Sequence, residues 1–245
     1  MRRILFQWHG IKIFSYPAML YFGLLFGIVA GNFAAHVANL NSAHVFVATL
    51  LLLVPALVGA RLLFVVSHWE YYRREPKRIW RRSEGGGALY GGLPLALLVS
   101  LPLLHILRLP FGAFWDVATF TILIGMILAR IGCLLNGCCA GRTTEGWLAL
   151  YLPDHQGIWQ RRMPTQLLEA AWAIVLLIGA IVIWHQMPFQ GALFLLALAG
   201  YSTGRFWLEF TRESQDRVGK IQLYQTTSLV LVVLSLMTFF VVWPR

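Results

Sequence analysis

The stretch from Met126 to Arg142, Met-Ile-Leu-Ala-Arg-Ile-Gly-Cys-Leu-Leu-Asn-Gly-Cys-Cys-Ala-Gly-Arg, is the densest in chemistry. It puts Arg130, Asn136 and all three cysteines at the end of an apolar run. On a helix Arg130, Cys133 and Gly137 follow at i, i+3 and i+7 and share a face, with Asn136 beside it. A cation inside an apolar segment is costly unless it meets a cavity or a partner, so Arg130 is a candidate functional residue. Cys133, Cys138 and Cys139 lie too close in sequence for a disulfide framework, and an adjacent Cys138–Cys139 bond is sterically awkward. No His-x-x-His or Cys-x-x-Cys spacing supports a metal, and none is expected. Two readings stand for these cysteines: small buried packing residues, or a nucleophilic or self-lipidated thiol whose thiolate Arg130 favours.

Other polar residues interrupt apolar runs at helical spacing. Tyr201, Arg205 and Glu209 recur every four residues, a polar stripe that needs a partner; an internal Arg205–Glu209 ion pair is the simpler alternative. After Pro164, Gln166 and Glu169 put an amide and a carboxylate on one face of a helix's first turns. Arg61 sits among small and apolar residues near the end of its run, as a site residue or as a snorkelling anchor. Tyr16, just before Pro17, is a site residue or part of an interfacial aromatic belt. The basic, aromatic-interleaved run from His68 to Arg82 suits an interfacial segment touching lipid phosphates better than a nucleic-acid surface. Five glycines fall between Glu84 and Gly92. No lysine followed by Ser/Thr completes a phosphate loop there, so Gly91 and Gly92 serve close approach to a lipid headgroup or to another helix.

The elements that carry these residues follow from composition. With 58% hydrophobic and 12% charged residues and a mean hydropathy of +0.68, the chain is too apolar for a soluble domain. The expectation is a single all-α transmembrane domain over residues 1–245, a polytopic membrane protein of seven helices with an interfacial basic segment. The spans fall at about 17–35, 44–66, 89–107, 111–135, 165–184, 189–206 and 223–242. The third and sixth are the weakest, one interrupted by Gly91, Gly92, Pro94 and Pro102, the other ending in polar residues. No small-residue cleavage site follows the first run, so no cleavable signal peptide is expected. The last span lacks a lysine, which argues against a retinal protein. Seven crossings put the termini on opposite faces. Lysines and arginines number three in the N-terminal tail, six from Ser67 to Ala88, three from Gly137 to Pro164 and three from Trp207 to Gln222, against only Arg108 and Arg245 opposite. Charge bias alone therefore turns the N-terminus and the Arg130 end toward the cytoplasm.

Met126 to Gly141, taken with Pro164-Thr-Gln-Leu-Leu-Glu169, Arg205-Phe-Trp-Leu-Glu209, Gly59-Ala-Arg61 and the Gly-Gly pair after Tyr90, resembles the prolipoprotein diacylglyceryl transferase family. The likeness runs in order from Ser15-Tyr16 to Arg212. It implies a seven-span enzyme of the bacterial plasma (inner) membrane that moves a diacylglyceryl group from phosphatidylglycerol to the thiol of a lipobox cysteine and releases glycerol phosphate. Tyr16, Arg61, Arg130, Asn136, Gly137, Gly141, Tyr201, Arg205 and Glu209 would line the lipid site, with Gly91, Gly92, Gln166 and Glu169 also on the donor side. The resemblance implies the opposite orientation to the charge count, with the N-terminus outside the cytoplasm. The chain departs from the family pattern where Cys133 replaces an asparagine, Cys138 an acidic residue and Tyr90 a histidine. The chemistry expected is displacement at the glycerol carbon bearing the phosphate, with Arg130 and Arg205 on the phosphodiester. Glu209, then Tyr90, would be the general base, and Cys133 or Cys138 a covalent participant if the reaction has diverged. The partners expected are a phosphatidylglycerol-like phospholipid, the membrane, and a lipobox-bearing preprolipoprotein or another acceptor, with no cofactor and no nucleic acid. A non-catalytic lipid-binding or membrane assembly protein is the alternative.

Overall fold

The computed structural model describes residues 4–8, 11–73, 77, 89–153, 157–212, 217–218 and 221–243. Eight helices hold most of them: α1 Ser15–Val37, α2 Ser42–Ser67, α3 Trp69–Tyr72, α4 Leu89–Ile106, α5 Phe111–Asn136, α6 Thr165–Ile183, α7 Ala192–Glu209 and α8 Leu223–Val242. Helices satisfy every backbone donor and acceptor within one segment, which long apolar runs require where water is absent. Short antiparallel hairpins flank them: β1 Ile4–Trp8 with β2 Ile11–Phe14, β3 Leu150–Pro153 with β4 Trp159–Arg162, and β5 Arg217–Val218 with β6 Ile221–Gln222.

α1, α2, α5, α8 and α6 with the 3-10 turn that follows it are long and apolar enough to cross a membrane. α4 and α7 are not among these five. They match the third and sixth expected spans: the apolar part of α4, Gly91–Ile106, is short, and α7 carries Arg205 and Glu209. The architecture is all-α and polytopic. α7 starts and ends about a turn later than its apolar run suggests, because Gly191, at φ 98°, opens the helix and ion pairs keep its polar end helical.

The packing is inverted relative to a soluble protein. Large apolar side chains such as Phe33, Leu57, Ile106 and Phe240 face outward, while small and polar ones such as Ala35, Ala48, Ser100 and Ser202 are buried. Small residues let helix backbones approach where lipid gives no hydrophobic drive to associate. Gly59 of α2 and Gly91 of α4 face one another so closely that a Cβ on either would run into the other's carbonyl, and Gly92 abuts the Ala56 carbonyl. α1 lies along α5, where the Thr121 hydroxyl donates to the Gly27 carbonyl at 2.9 Å. Around Phe114, Val117, Phe120 and Leu193 the helices share one apolar core.

One buried carboxylate fixes the start of α7. Asp116 of α5 accepts from the Gly191 N–H at 2.6 Å and the Phe194 N–H at 3.0 Å, capping another helix whose first-turn donors have no partner of their own. α7 is thereby set against α5, with its far end beside the end of α5 that carries Arg130.

Candidate active site

Three helix ends converge on Glu169. It lies in the first turns of α6, where the chain has just left the β3–β4 hairpin, and it is almost fully buried. Its Oε2 meets the Arg130 Nε of α5 at 2.5 Å. Its Oε1 accepts from Arg205 Nη1 of α7 at 2.7 Å and from Arg212 Nη2, just beyond α7, at 2.6 Å. The polar stripe on α7 closes the network: Arg205 Nη2 lies 2.9 Å from Glu209 Oε2, and Arg212 Nε 3.7 Å from the same oxygen. Among the described residues three guanidiniums thus share two carboxylates, a net positive charge held where the medium screens little. Tyr201 sits within electrostatic reach of Arg130 and Arg205, and the Arg205 guanidinium lies over the Tyr224 ring of α8 at 5.4 Å.

The wall of this network is the turn that ends α5. Gly137 takes the left-handed conformation at φ 73° and stops the helix. Cys139 takes it again at φ 63°, which is uncommon for a non-glycine residue. The chain doubles back, so the Cys138 N–H donates to the Cys133 carbonyl at 3.1 Å and the three sulfurs come within 4.8 Å of one another. The Cys138 thiol donates to the Cys133 carbonyl at 3.6 Å, and Gln166 Nε2 donates to the Cys138 carbonyl at 2.7 Å. Hydrogen bonds with Cys133 and Cys138, then the charges of Arg212 and Arg130, draw the Cys139 thiol below the ordinary cysteine range. Tyr16 on α1 lies within electrostatic reach of the same three cysteines and Arg130.

Gly141 follows the turn in a slot that no side chain fits. A Cβ there would collide with the Thr165 hydroxyl and lie 2.5 Å from the Thr211 carbonyl. The slot is knitted by Gly141 N–H to the Met163 carbonyl at 2.9 Å and Arg142 N–H to the Thr211 carbonyl at 2.8 Å. Buried Arg162 adds a contact from its Nη1 to the Gly141 carbonyl at 3.5 Å. These bonds pin the α5 turn, the entry to α6 and the exit from α7 together, which is what positions Glu169, Arg205 and Arg212.

The structure therefore gathers Tyr16, Arg130, Cys133, Asn136, Gly137, Cys138, Gly141, Gln166, Glu169, Tyr201, Arg205 and Glu209 at one end of the helices. Arg61 is engaged by α3, with Nη2 3.4 Å from the Tyr72 hydroxyl and its guanidinium over the Tyr72 and Phe64 rings. Gly91 and Gly92 sit in the α2–α4 contact. The Tyr90 side chain lies outside the described residues. Cys139 joins the other two cysteines here, and Arg212, which the polar stripe does not include, also belongs to the assembly. Arg212 falls three residues after Glu209 and seven after Arg205, so extending the stripe one more turn would have found it.

Known proteins resemble the chain over most of its length. A family profile described as prolipoprotein diacylglyceryl transferase matches residues 3–241. A phosphatidylglycerol–prolipoprotein diacylglyceryl transferase of Bacillus cytotoxicus is 31% identical over 201 residues, covering 78% of this chain and 74% of the relative. One of Bacillus cereus is 32% identical over the same extent and shares. One of Bacillus mycoides is 28% identical over 244 residues, 96% of this chain and 89% of its own.

Proposed function

The chain belongs to the prolipoprotein diacylglyceryl transferase family, a family of transferases, and from that premise we propose that it transfers the diacylglyceryl group of phosphatidylglycerol to the cysteine thiol of a lipobox-bearing prolipoprotein in the bacterial plasma membrane. The observation that carries this reading is the partly buried surplus of cation, three guanidiniums on two carboxylates among the described residues at the end of three helices. A buried network with excess positive charge is expensive as it stands, and an anion with several acceptor oxygens relieves the expense. The phosphodiester of an anionic phospholipid is such a group, delivered from the bilayer to that depth.

In this reading the phosphate draws Arg130 and Arg205 partly away from Glu169 and accepts their planar donor pairs. The acceptor sulfur attacks the glycerol carbon that bears the phosphate. The new C–S bond forms as the C–O bond breaks, and the electron pair leaves with glycerol phosphate. Charge grows on the departing phosphate in the transition state, where the arginines are worth most. Glu209 is a poor base while Arg205 and Arg212 hold it; once the phosphate competes for those arginines it is free to take the thiol proton. Tyr16 and Asn136 orient the headgroup, and Glu169 keeps the empty site from flying apart under like-charge repulsion.

The test uses purified full-length protein in detergent micelles containing phosphatidylglycerol and a lipobox peptide. The expected products are a thioether-linked diacylglyceryl peptide and glycerol phosphate in equal amounts, read by mass spectrometry. No phosphatidylglycerol turnover, or turnover with phosphatidylcholine at the same rate, would overturn the proposal.

A further inference from the structure

The cysteine turn has a property that transfer to an external thiol does not use. We propose that Cys133, Cys138 and Cys139 form a binding site for a single soft d10 cation of the Zn2+ class. The three sulfurs lie within 4.8 Å of one another. A Zn–S bond of about 2.3 Å sets sulfur separations of about 3.8–4.0 Å around one ion, so sub-ångström closure completes the cage. In sequence the spacing Cys-x4-Cys-Cys lacks the usual metal signature. The two left-handed residues, Gly137 at φ 73° and Cys139 at φ 63°, supply the fold-back that a Cys-x-x-Cys turn supplies elsewhere. Left-handed backbone costs a non-glycine residue energy and persists where the surroundings over-determine it. Here it aims the Cys139 sulfur at the other two.

The surroundings suit a metal–thiolate group in charge as well as in shape. Three thiolates around a divalent ion carry a net charge of minus one. The adjoining network of Arg130, Arg205 and Arg212 with Glu169 and Glu209 carries plus one. Arg130 and Arg212 lie within electrostatic reach of Cys139, so an anionic metal–thiolate group has cationic neighbours on that side. The turn is also tied down from outside, since Gln166 holds the Cys138 carbonyl. Cys133 is buried and Cys139 exposed, giving an anchored base and an entry side. Sulfur-only ligation selects Zn2+, Cd2+ or Cu+ over Mg2+ or Ca2+. Among the described residues no histidine or carboxylate joins the three sulfurs. A tetrahedral ion would therefore keep one open coordination position.

The experiment needs no transferase activity. Full-length protein in detergent, reduced with a phosphine and stripped of metal, is titrated with Cd2+ while sulfur-to-cadmium charge-transfer absorption is followed. The proposal expects one Cd2+ per chain, displacement by Zn2+, no response to Mg2+, and loss of the absorption in the C133S/C138S/C139S triple variant. Cys139→Ser alone should weaken binding at least about tenfold, since loss of even an outer-shell partner costs that much. If the variants do not fold, the wild-type protein still decides: bound Cd2+ should protect all three cysteines together from N-ethylmaleimide, read by peptide mass spectrometry. Absent absorption, absorption that survives in the triple variant, or protection of fewer than three cysteines would overturn the assignment.

Discussion

Glu169 shows how a residue's role depends on partners that sequence spacing does not reveal. Its place in Pro164-Thr-Gln-Leu-Leu-Glu169 marks it as a polar residue in the first turns of a helix. Only the fold shows that Arg130, 39 positions before it, and Arg205, 36 after it, both close on its carboxylate. Removing one partner of a buried ion pair typically costs about 3–5 kcal/mol, because the remaining charge stays buried. Glu169→Gln keeps the shape and one acceptor oxygen but leaves three guanidiniums with a single carboxylate. It should lower the thermal unfolding midpoint in detergent, and high concentrations of inorganic phosphate should restore part of the loss. An unchanged midpoint without phosphate would show that the network is not buried in the folded protein. The Arg205–Glu209 pair, by contrast, was legible from its four-residue spacing. Arg212 continues that stripe by one more turn, past the point where apolar periodicity ends. The fold-back that brings Cys139 to Cys133 and Cys138 is not legible, because a left-handed backbone at a non-glycine residue leaves no trace in sequence.

At the scale of elements, the apolar runs and the helices agree within about three residues throughout, since hydrophobic length and backbone satisfaction in lipid both follow from composition. What holds those helices in place was less visible. Asp116 attracts no attention inside an apolar run, yet its carboxylate takes the Gly191 and Phe194 N–H groups, 75 and 78 residues away. Asp116→Ala strands those two donors in a buried setting, at about 1–3 kcal/mol for each group left unsatisfied. A clear drop in thermal stability is expected, together with weakened transferase activity because α7 carries Arg205. Asp116→Asn, which keeps an acceptor oxygen, should recover part of both. Equal stability of the alanine variant and the wild type would mean that water caps α7. The glycine-rich stretch before α4 left two uses open, and the contact of Gly59 with Gly91 assigns that glycine to helix packing. The hairpins at the helix ends were not anticipated, because strands of two to five residues carry too little periodicity to read.

For the whole molecule, orientation and chemistry are one question, since the proposed transfer needs the arginine network on the face that meets the acceptor. The charge count puts that end in the cytoplasm and the family likeness puts it outside. Two of the fifteen charges counted, Arg162 and Arg212, are drawn into the protein by Gly141, Gln160, Glu169 and Glu209, so the count overstates the pull of the headgroups. The proposal follows the family: Lys77→Cys, at an exposed position after α3, should react with a membrane-impermeant maleimide added to intact cells. Protection of that position until the cells are opened would reverse the orientation. The central claim is that the buried arginines act on the donor phosphate, and the most direct measurement is the rate of diacylglyceryl transfer by purified Arg130→Ala, Arg205→Ala and the corresponding lysine variants. Each is first shown to be intact and monodisperse in detergent. Loss of a donor that stabilises developing charge typically costs about 10²–10³ in rate. Both alanine variants should fall by at least that much, with lysine recovering a part because the charge remains and the planar fork does not. Wild-type rates in either alanine variant would contradict the account.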